Sequence, residues 1–448
     1  MTCRFVAVTR PAVPHQPFLE RLSTAERGDS TWRALVGGHA ALQLFDVWVG
    51  NGCGEIPVSA LEIRRVRKHV SAIEDAHAIR RCLTSLVDVI HRAPSERESD
   101  ARQSTGYEAG RLLASYGRLL QFDGAWSLAE DVFETLLAGG CCVNDDEQLL
   151  DATLMLGYSV RMQGKLDHAA EVYASLRSAA IGLGNVRYEL ESRLSDAKVV
   201  IDRGNLPAAR DLLERVTADA RRAECKIVLG KALLESGRVR TILGEYEQAL
   251  TFSYQALDVC VDAIERDRVL TNVAATFSLM GMWQGARDAN LILAATAQEQ
   301  EVRAMATINL MELAYFERNE VAFDQYRRQL APMPMTARTE VVYYETLGDG
   351  YRAFERPAKA RATYARMLAA AARSGLNEFV VKAEASLADI ARSTRFTPPR
   401  VLERNYSSGA EVTQIAAAVA EMRVAAGIDE ATSLGSRLAA NDLELRSS

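Results

Sequence analysis

Apolar residues recur along most of the chain at the three- and four-residue spacing of amphipathic helices. The stretch TWRALVGGHAALQLFDVWV, which begins at Thr31, predicts a helix. Its apolar face would consist of Trp32, Leu35, Leu42, Leu44, Phe45 and Trp48. SALEIRRVRKHVSAI, AHAIRRCLTSLVDVIH and, near the end, EVTQIAAAVAEMRVAAG at 411–427 predict further helices. The pattern therefore predicts an all-α protein.

Between these flanks a glycine and an alanine recur together at a nearly fixed interval, which indicates a repeat protein. The predicted turn positions are Gly124, Gly164, Gly204, Gly244, Gly281, Glu317 and Glu355, at intervals of 40, 40, 40, 37, 36 and 38 residues. Five residues after each stands an alanine: Ala129, Ala169, Ala209, Ala249, Ala286, Ala322 and Ala360. Glycine ends a helix readily because it adopts positive φ, and alanine lets two helices approach closely. Each unit is therefore predicted to be a helical hairpin.

Two further slots accompany each hairpin. Four residues after the alanine stands a bulky residue, on the same helix face: Phe133, Tyr173, Leu213, Tyr326 and Tyr364. Ser253 and Asn290 depart from this rule, so units four and five are expected to pack less regularly. Seven residues before the turn stands a small residue: Gly117, Gly157, Ala197, Gly237, Ala274 and Gly348.

This pattern resembles the tetratricopeptide repeat family. The segment YETLGDGYRAFERPAKARATYARML places Tyr344, Leu347, Gly348, Tyr351, Ala360 and Tyr364 on the family's aromatic, Leu, Gly, Tyr, Ala and aromatic positions. The units here run near 40 residues against the family's usual ~34, and they are similar to those of bacterial sensory regulators such as peptide-sensing quorum receptors and maltose-regulator-type activators. The resemblance covers about residues 110–372. It implies a right-handed α-solenoid of about seven to eight hairpins.

The flanks suggest four regions. Residues 1–30 contain Pro11, Pro14 and Pro17 without sustained periodicity and are interpreted as an arm. Residues 31–100 form a helical bundle that could cap the solenoid, since a terminal repeat otherwise exposes an apolar face. The solenoid then spans 101–395. TPPR at 397–400 stops it, and 396–448 would hold one helix and a loose tail.

Composition narrows the function classes. The fractions of hydrophobic (48%) and charged (25%) residues are those of a soluble folded protein, and no apolar run is long enough to span a membrane. The amino terminus lacks the apolar core of a signal peptide, so a cytoplasmic location is expected. The net charge of −6 argues against nucleic acid as a partner. Seven scattered cysteines argue against a disulfide framework and a zinc site; Cys141 and Cys142 could form a redox pair or merely fill a helix junction.

Sequence motifs for catalysis are weak. GNGCG at 50–54 lacks the preceding strand of a dinucleotide loop, and the Gly–Lys pair at Lys231 lacks the rest of a phosphate loop. His69 and His77 could share a helix face, but no third ligand lies near them in sequence. The chain is therefore interpreted as non-catalytic, with no metal and no cofactor.

In the tetratricopeptide family the first helix of each hairpin lines a concave groove, and the residue after its small slot faces that groove. By this resemblance the groove row is Arg118, Tyr158, Lys198, Arg238, Ala275, Met311 and Asp349. Neighbouring groove slots add Arg161, Asp202 and Lys231. Arginine and lysine there could hold a carboxylate or phosphate. The alternative is that these charges only solvate a helix face and pair with Asp202 and Glu191.

The function predicted on this basis is a scaffold that binds a protein or a peptide, including one with an acidic group, in the concave groove. One alternative is a peptide-responsive signalling or transcription regulator, for which no helix-turn-helix reader is evident. Another is an accessory subunit of a multi-protein enzyme or secretion assembly. The partner and the oligomeric state are not encoded in any recognisable motif.

Overall fold

The computed structural model describes residues 14–53, 55–92, 99–260, 262–392 and 409–428, and every regular element in these ranges is an α-helix. The helices are α1 Gln16–Thr24, α2 Ser30–Gly50, α3 Ala60–Ser71, α4 His77–Arg92, α5 Ser99–Phe122, α6 Trp126–Ala138, α7 Gly140–Val143, α8 Asp146–Met162, α9 Leu166–Leu183, α10 Val186–Asp202, α11 Leu206–Arg222, α12 Lys226–Leu243, α13 Tyr246–Val259, α14 Ala263–Met280, α15 Trp283–Thr296, α16 Gln300–Phe316, α17 Glu320–Leu330, α18 Ala337–Ala353, α19 Pro357–Arg373, α20 Asn377–Ala391 and α21 Ala410–Ala425. The predicted all-α fold class is confirmed. The segment TPPR and the tail after residue 428 lie outside the described residues.

Two compact units make up the chain, residues 1–219 and 220–448, with the boundary inside α11. In the first unit, α1–α4 pack together, α4 packs on α5, and the hairpins α5/α6 and α8/α9 follow, with α10 against α9. In the second, the hairpins α12/α13, α14/α15, α16/α17 and α18/α19 are followed by α20 against α19. α10 and α11 are joined by the turn at Gly204, so the described ranges contain seven successive helix–turn–helix pairs, within the predicted number. None of the described helices is both long enough and apolar enough to cross a membrane.

The amino-terminal region begins with a helix that the sequence pattern does not reveal. The segment 1–30, interpreted as an arm, contains α1, which begins next to a proline and buries Phe18 completely. One buried aromatic side chain fixes this helix although its nine residues are too few to show a clear period. Most of the predicted face of α2 is also buried, from Leu35 to Trp48, whereas Trp32 stays half-exposed.

A buried histidine links this region to the first hairpin. His15, at the start of α1, is 2% exposed; its Nδ1 lies 3.1 Å from Asp131 on α6 and its Nε2 lies 3.3 Å from Asp46 on α2. Burial alone would lower the pKa of His15. Hydrogen bonds to Asp131 and Asp46 and their negative charges outweigh it and raise the pKa to about 9. The charged imidazolium therefore holds α1, α2 and α6 together at neutral pH.

The hairpin turns follow the predicted glycines, with one correction. Gly124, Gly164, Gly204, Gly244 and Gly281 have φ between 69° and 79°, and Glu355 takes the same left-handed conformation at 59°. In unit six, however, the left-handed residue is Arg318 at 59°, whereas Glu317 has φ −81°. The prediction of Glu317 was wrong by one residue, because neither residue is a glycine that would mark the turn. The last three intervals between turns are therefore 37 residues each.

The small slots receive the bulky residues of the same hairpin. A Cβ on Gly117 would lie 2.6 Å from the ring of Phe133, and one on Gly348 would lie 2.5 Å from that of Tyr364. Gly157 is pressed against Tyr173 in the same way. Each ring occupies the space that a side chain on the opposite helix would need, so the glycine sets the distance between the two helices.

In units four and five, small polar side chains take the place of the ring. Ser253 is fully buried against Gly237. Asn290 is also buried, donates from Nδ2 to the carbonyl of Ala286 at 2.8 Å and accepts from Asn309 at 3.1 Å. Unit five therefore closes the slot with hydrogen bonds, whereas in unit four the small side chain of Ser253 packs directly against Gly237.

In unit six every slot lies one residue later than the sequence predicts, because the turn is at Arg318. Counted from Arg318, the slot of the alanine is Phe323, which is buried against Gly350, while Ala322 is half-exposed. The small slot becomes Met311, and the groove slot moves from Met311 to Glu312. The expectation that the groove row turns apolar at Met311 is thus wrong, since Met311 is fully buried.

The carboxy-terminal helix predicted at 411–427 is present as α21. It packs on α13 and α15, the second helices of two hairpins in the same unit. Arg423 of α21 forms an ion pair with Asp288 of α15, with 2.8 Å between Nε and Oδ1. Because Asp288 is 3% exposed, this ion pair is largely desolvated.

The cysteines also differ from expectation. A disulfide joins Cys53, in the turn after α2, to Cys142 of α7, with their Cα atoms 5.6 Å apart. The odd number and scattered positions argued against such a bridge, but the 89 residues between the two cysteines fold so that the turn and α7 meet. The other cysteines in the described ranges, Cys82, Cys141, Cys225 and Cys260, are free.

Candidate functional site

The predicted groove residues lie on the first helices of four successive hairpins. Arg118 lies on α5, Tyr158 and Arg161 on α8, and Lys198 and Asp202 on α10, all in the first unit. Lys231 and Arg238 lie on α12 in the second unit.

In the first unit, two aromatic rings and an arginine form one cluster, here called the α8 cluster: Trp126, Tyr158, Arg161 and Asp202. The rings of Trp126 and Tyr158 make an edge-to-face contact, with their centroids 5.5 Å apart. The guanidinium of Arg161 lies over the Tyr158 ring at 5.4 Å and donates from Nη1 to Asp202 at 2.5 Å. A cation held on an aromatic face beside a carboxylate is an ordered polar site.

Arg161 is the central residue of this cluster. Its side chain is only 13% exposed. Burial alone would lower its pKa, but the hydrogen bond to Asp202 and the neighbouring groups raise it. Among the described residues, its buried Nε–H finds no acceptor. A buried donor without a partner costs free energy unless a ligand or water satisfies it.

Arg118 and Lys198 lie on the two helices that flank α8. Arg118 donates from Nη2 to Asp151 of α8 and is about half exposed. Lys198 is partly buried on α10, one helical turn before Asp202. The first unit therefore presents three cationic side chains and one phenol on α5, α8 and α10, and two of the cations are paired with carboxylates of the next first helix. The pairing of Arg161 with Asp202 is the contact that the alternative interpretation expected.

In the second unit, Arg238 pairs within its own helix, from Nε to Glu235 at 2.8 Å. Lys231 is partly buried two turns earlier on the same helix. These two residues thus share α12, and the ion pair leaves Arg238 42% exposed.

The same unit contains a pair of carboxyl groups, of which the sequence predicted only Asp349 as a groove residue. Glu312 of α16 and Asp349 of α18 occupy consecutive groove slots once the turn is placed at Arg318. Burial, followed by the charges of Asp349 and Glu345, raises the pKa of Glu312 to about 7. Burial raises the pKa of Asp349 to about 6, although a 2.5 Å hydrogen bond from Tyr364 favours its ionised form. The repeat would have indicated Glu312 as the groove residue if a glycine had marked the turn at position 318.

Two groups of side chains in the described ranges have the donor set and proximity of a metal site: Cys53 with Cys141 and Cys142, and Glu130 with Glu134 and His168. In the second group, Glu130 already accepts from Lys165 at 2.8 Å and from Gln163 at 2.6 Å, so its charge is compensated. Neither group includes His69 or His77, the pair considered from the sequence.

No protein-family model matches the chain, and no curated protein matches it. Among solved structures, the chain is similar to the Rap conjugation gene regulator of the plasmid pLS20 in complex with the Phr* peptide, at 13% identity and a TM-score of 0.41, over 83% of this chain and 99% of the other. It is also similar to a Rap protein complexed with competence and sporulation factor, at 12% identity and a TM-score of 0.38, over 80% and 98% of the two chains. At these values the likeness indicates no ligand for this chain.

Proposed function

We propose that the chain is a non-catalytic helical-repeat protein of the tetratricopeptide type that binds a peptide, or a peptide segment of a protein, on the first helices of its hairpins. The observation that carries the proposal is the α8 cluster, in which a buried arginine retains a donor that no described residue satisfies. A ligand carboxylate or backbone carbonyl would satisfy it.

The chemistry of the cluster favours a peptide with an acidic group and an apolar or aromatic side chain. Arg161 and Lys198 supply positive charge, and the half-buried rings of Trp126 and Tyr158 offer contact area with few rotatable bonds. The ion pairs with Asp151 and Asp202 do not oppose this function. They hold the cations in place before binding and therefore reduce the entropy lost on binding.

The second unit favours ligand groups of a different chemistry. Glu312 and Asp349 place carboxyl groups in the groove slots where the first unit has cations. The units also run at two lengths, 40 and 37 residues between turns, which are longer than the usual tetratricopeptide unit of ~34. Membership of the long-unit bacterial branch of that family, and a cytoplasmic location, are part of this proposal.

The test begins with a random peptide library displayed on phage and selected on the immobilised full-length chain. Selected peptides are synthesised with a fluorophore and titrated by fluorescence anisotropy. We expect enrichment of peptides that combine Asp or Glu with an aromatic residue. Arg161→Ala and Lys198→Glu should each weaken binding by about 10-fold or more, the loss expected when a charge-assisted hydrogen bond or an attractive charge is removed.

Arg177→Ala is the matched control, because Arg177 of α9 makes a comparable ion pair with Asp196 at 3.0 Å but belongs to a second helix. Its affinity for the selected peptides should equal that of the wild type, and circular dichroism should show the same helix content for all variants. The proposal is wrong if no peptide is enriched. It is equally wrong if both Arg161→Ala and Lys198→Glu bind like the control.

A further inference from the structure

Three cysteines from two distant parts of the chain converge at one place in the first unit. Cys53 follows α2, and Cys141 and Cys142 lie on α7. Their sulfur atoms all lie within 4.8 Å of one another. We name this group the thiol cluster. In the described ranges, Cys82, Cys225 and Cys260 lie outside this group.

Two close contacts at glycines hold α7, which carries Cys141 and Cys142, against the neighbouring helices. A Cβ on Gly139, the residue before α7, would lie 2.7 Å from Phe45 of α2. Gly106 of α5 is pressed against the backbone carbonyl of Cys142. Because glycine permits both close approaches, α7 is held between α2 and α5, and the cysteines meet without any movement of these helices.

The sulfur geometry fits a metal ion. Cys141 Sγ and Cys142 Sγ are 3.8 Å apart. Two thiolates on a tetrahedral zinc ion with bonds of about 2.3 Å are separated by about 3.8 Å as well. Cys53 Sγ is bonded to Cys142 Sγ in the disulfide. Once that bond is cleaved, the sulfur of Cys53 can move to a similar distance from the other two sulfurs.

We propose that, in its reduced state, the thiol cluster binds one soft divalent cation of the Zn²⁺ or Cd²⁺ type through Cys53, Cys141 and Cys142. Thiolates select such ions over hard cations. Three protein ligands leave a fourth position for water or another small ligand. Since Cys141 is exposed, the site opens to solvent on that side.

The disulfide and the metal site are two states of the same sulfurs. A dithiol reductant supplies two electrons and two protons to the Cys53–Cys142 bond, and becomes a disulfide itself. The two thiols formed, together with that of Cys141, then lose three protons as one cation binds, which makes the affinity fall at low pH. In either state the turn after α2 is fastened to α7.

The other candidate group, at Glu130, is a weaker metal site because Lys165 and Gln163 already occupy its carboxylate oxygens.

The experiment that tests the proposal measures metal binding by the thiols. The full-length chain is reduced with a phosphine, freed of reductant and titrated with Cd²⁺ alone under inert gas. Thiolate-to-cadmium charge-transfer absorption in the ultraviolet and native mass spectrometry give the ligand type and the stoichiometry.

We expect one Cd²⁺ per chain, displaced by Zn²⁺. Cys53→Ser, Cys141→Ala and Cys142→Ser should each lower the affinity by more than about 100-fold, the upper end of the effect of losing an outer-shell partner. Cys225→Ser, which removes a free cysteine outside the cluster, is the control and should bind like the wild type. Cys141→Ala changes an exposed residue, so a folding defect is not expected to obscure this variant.

The proposal is overturned if reduced wild-type protein takes up no Cd²⁺ at one equivalent, or if Cys141→Ala binds as tightly as wild type. It is also overturned if Cys225→Ser loses binding to the same extent, since the ion would then be held elsewhere. A second readout is the midpoint of thermal unfolding, which Cd²⁺ should raise in the wild type and in Cys225→Ser but not in Cys141→Ala.

Discussion

The contact between Gly157 and Tyr173 illustrates how a single position sets the spacing of two helices. Gly157 is interior to α8, where glycine is the poorer helix former, yet an added Cβ would collide with the Tyr173 ring. Gly182 lies in the last turn of α9 and has nothing within 4 Å of an added Cβ. The two glycines therefore have opposite surroundings.

Gly157→Ala should lower the free energy of unfolding by about 1–3 kcal/mol, because overpacking outweighs the gain in helix propensity. Gly182→Ala should raise it by no more than about 0.5 kcal/mol, because the gain of alanine over glycine is smaller in the last turn of a helix. Urea unfolding followed by circular dichroism measures both. Equal effects of the two substitutions would mean that the ring of Tyr173 does not fill the slot of Gly157.

Glu312 predicts how stability depends on pH. Its pKa is about 7 in the folded chain against 4.5 for an ordinary glutamate, so between these values the folded state binds more protons than the unfolded state. Stability should therefore fall as pH rises from 5 to 8. Glu312→Gln should remove the part of this loss that Glu312 contributes and stabilise the protein at pH 8 by on the order of 2 kcal/mol. The remaining loss comes from Asp349 and His15, whose pKa values are also raised in the folded chain.

The measurement is urea unfolding at pH 5 and pH 8. Glu384→Gln, which changes an exposed carboxyl on α20, provides the comparison and should leave the pH dependence unchanged. A wild-type chain that is more stable at pH 8 than at pH 5, with Glu312→Gln showing the same difference, would contradict the assignment.

At the scale of elements, the turns of units six and seven use a left-handed residue that is not glycine. Glu355 has φ 59° and an exposed side chain. For an L-residue this conformation costs about 1–2 kcal/mol. Glu355→Gly should therefore stabilise the hairpin α18/α19 by about 0.5–1 kcal/mol, after allowance for the added freedom of glycine in the unfolded chain.

Thermal unfolding would show this as a higher midpoint. Gly204→Ala, at φ 79° with open space around it, tests the reverse direction and should lower the midpoint. If Glu355→Gly were destabilising, the turn would depend on a side-chain contact of Glu355 rather than on backbone conformation.

The helices and most turns could be predicted because period and glycine are local signals. The exceptions lack such a local signal. The sixth turn lies at Arg318 and not at Glu317, and without a glycine the sequence does not show which residue adopts positive φ. The disulfide partner of Cys53 lies 89 residues away, and no periodic pattern connects the two. The groove positions follow from the repeat, but their ion pairs depend on rotamers: the two arginines reach carboxylates 33 and 41 residues away.

At the scale of the whole molecule, α21 packs back onto the earlier helices α13 and α15 of its own unit and contributes a desolvated ion pair. Arg423→Ala would leave Asp288 as a buried carboxylate without its cation. We expect a loss of about 2–4 kcal/mol, near the cost of breaking a buried pair. Hydrogen exchange in α13 and α15 should accelerate, because these helices form the surface beneath α21.

Arg392→Ala removes an exposed i,i+3 ion pair with Asp389 and should change stability by less than about 1 kcal/mol. In the double variant Arg423→Ala with Asp288→Asn, part of the loss should be recovered, since the unpaired charge is gone. A full loss in the double variant would assign the effect to packing of the Arg423 chain instead.

The second helices of the hairpins differ in length in a way that restricts how the repeats can be exchanged. α9 and α11 have 18 and 17 residues, whereas α13 and α15, on which α21 lies, have 14 each. Three extra residues add about 4.5 Å to a helix. α9 or α11 transplanted into this position would extend into the surface that α21 covers. A designed chimera that uses either helix there must therefore shorten it by one turn or give up the carboxy-terminal helix.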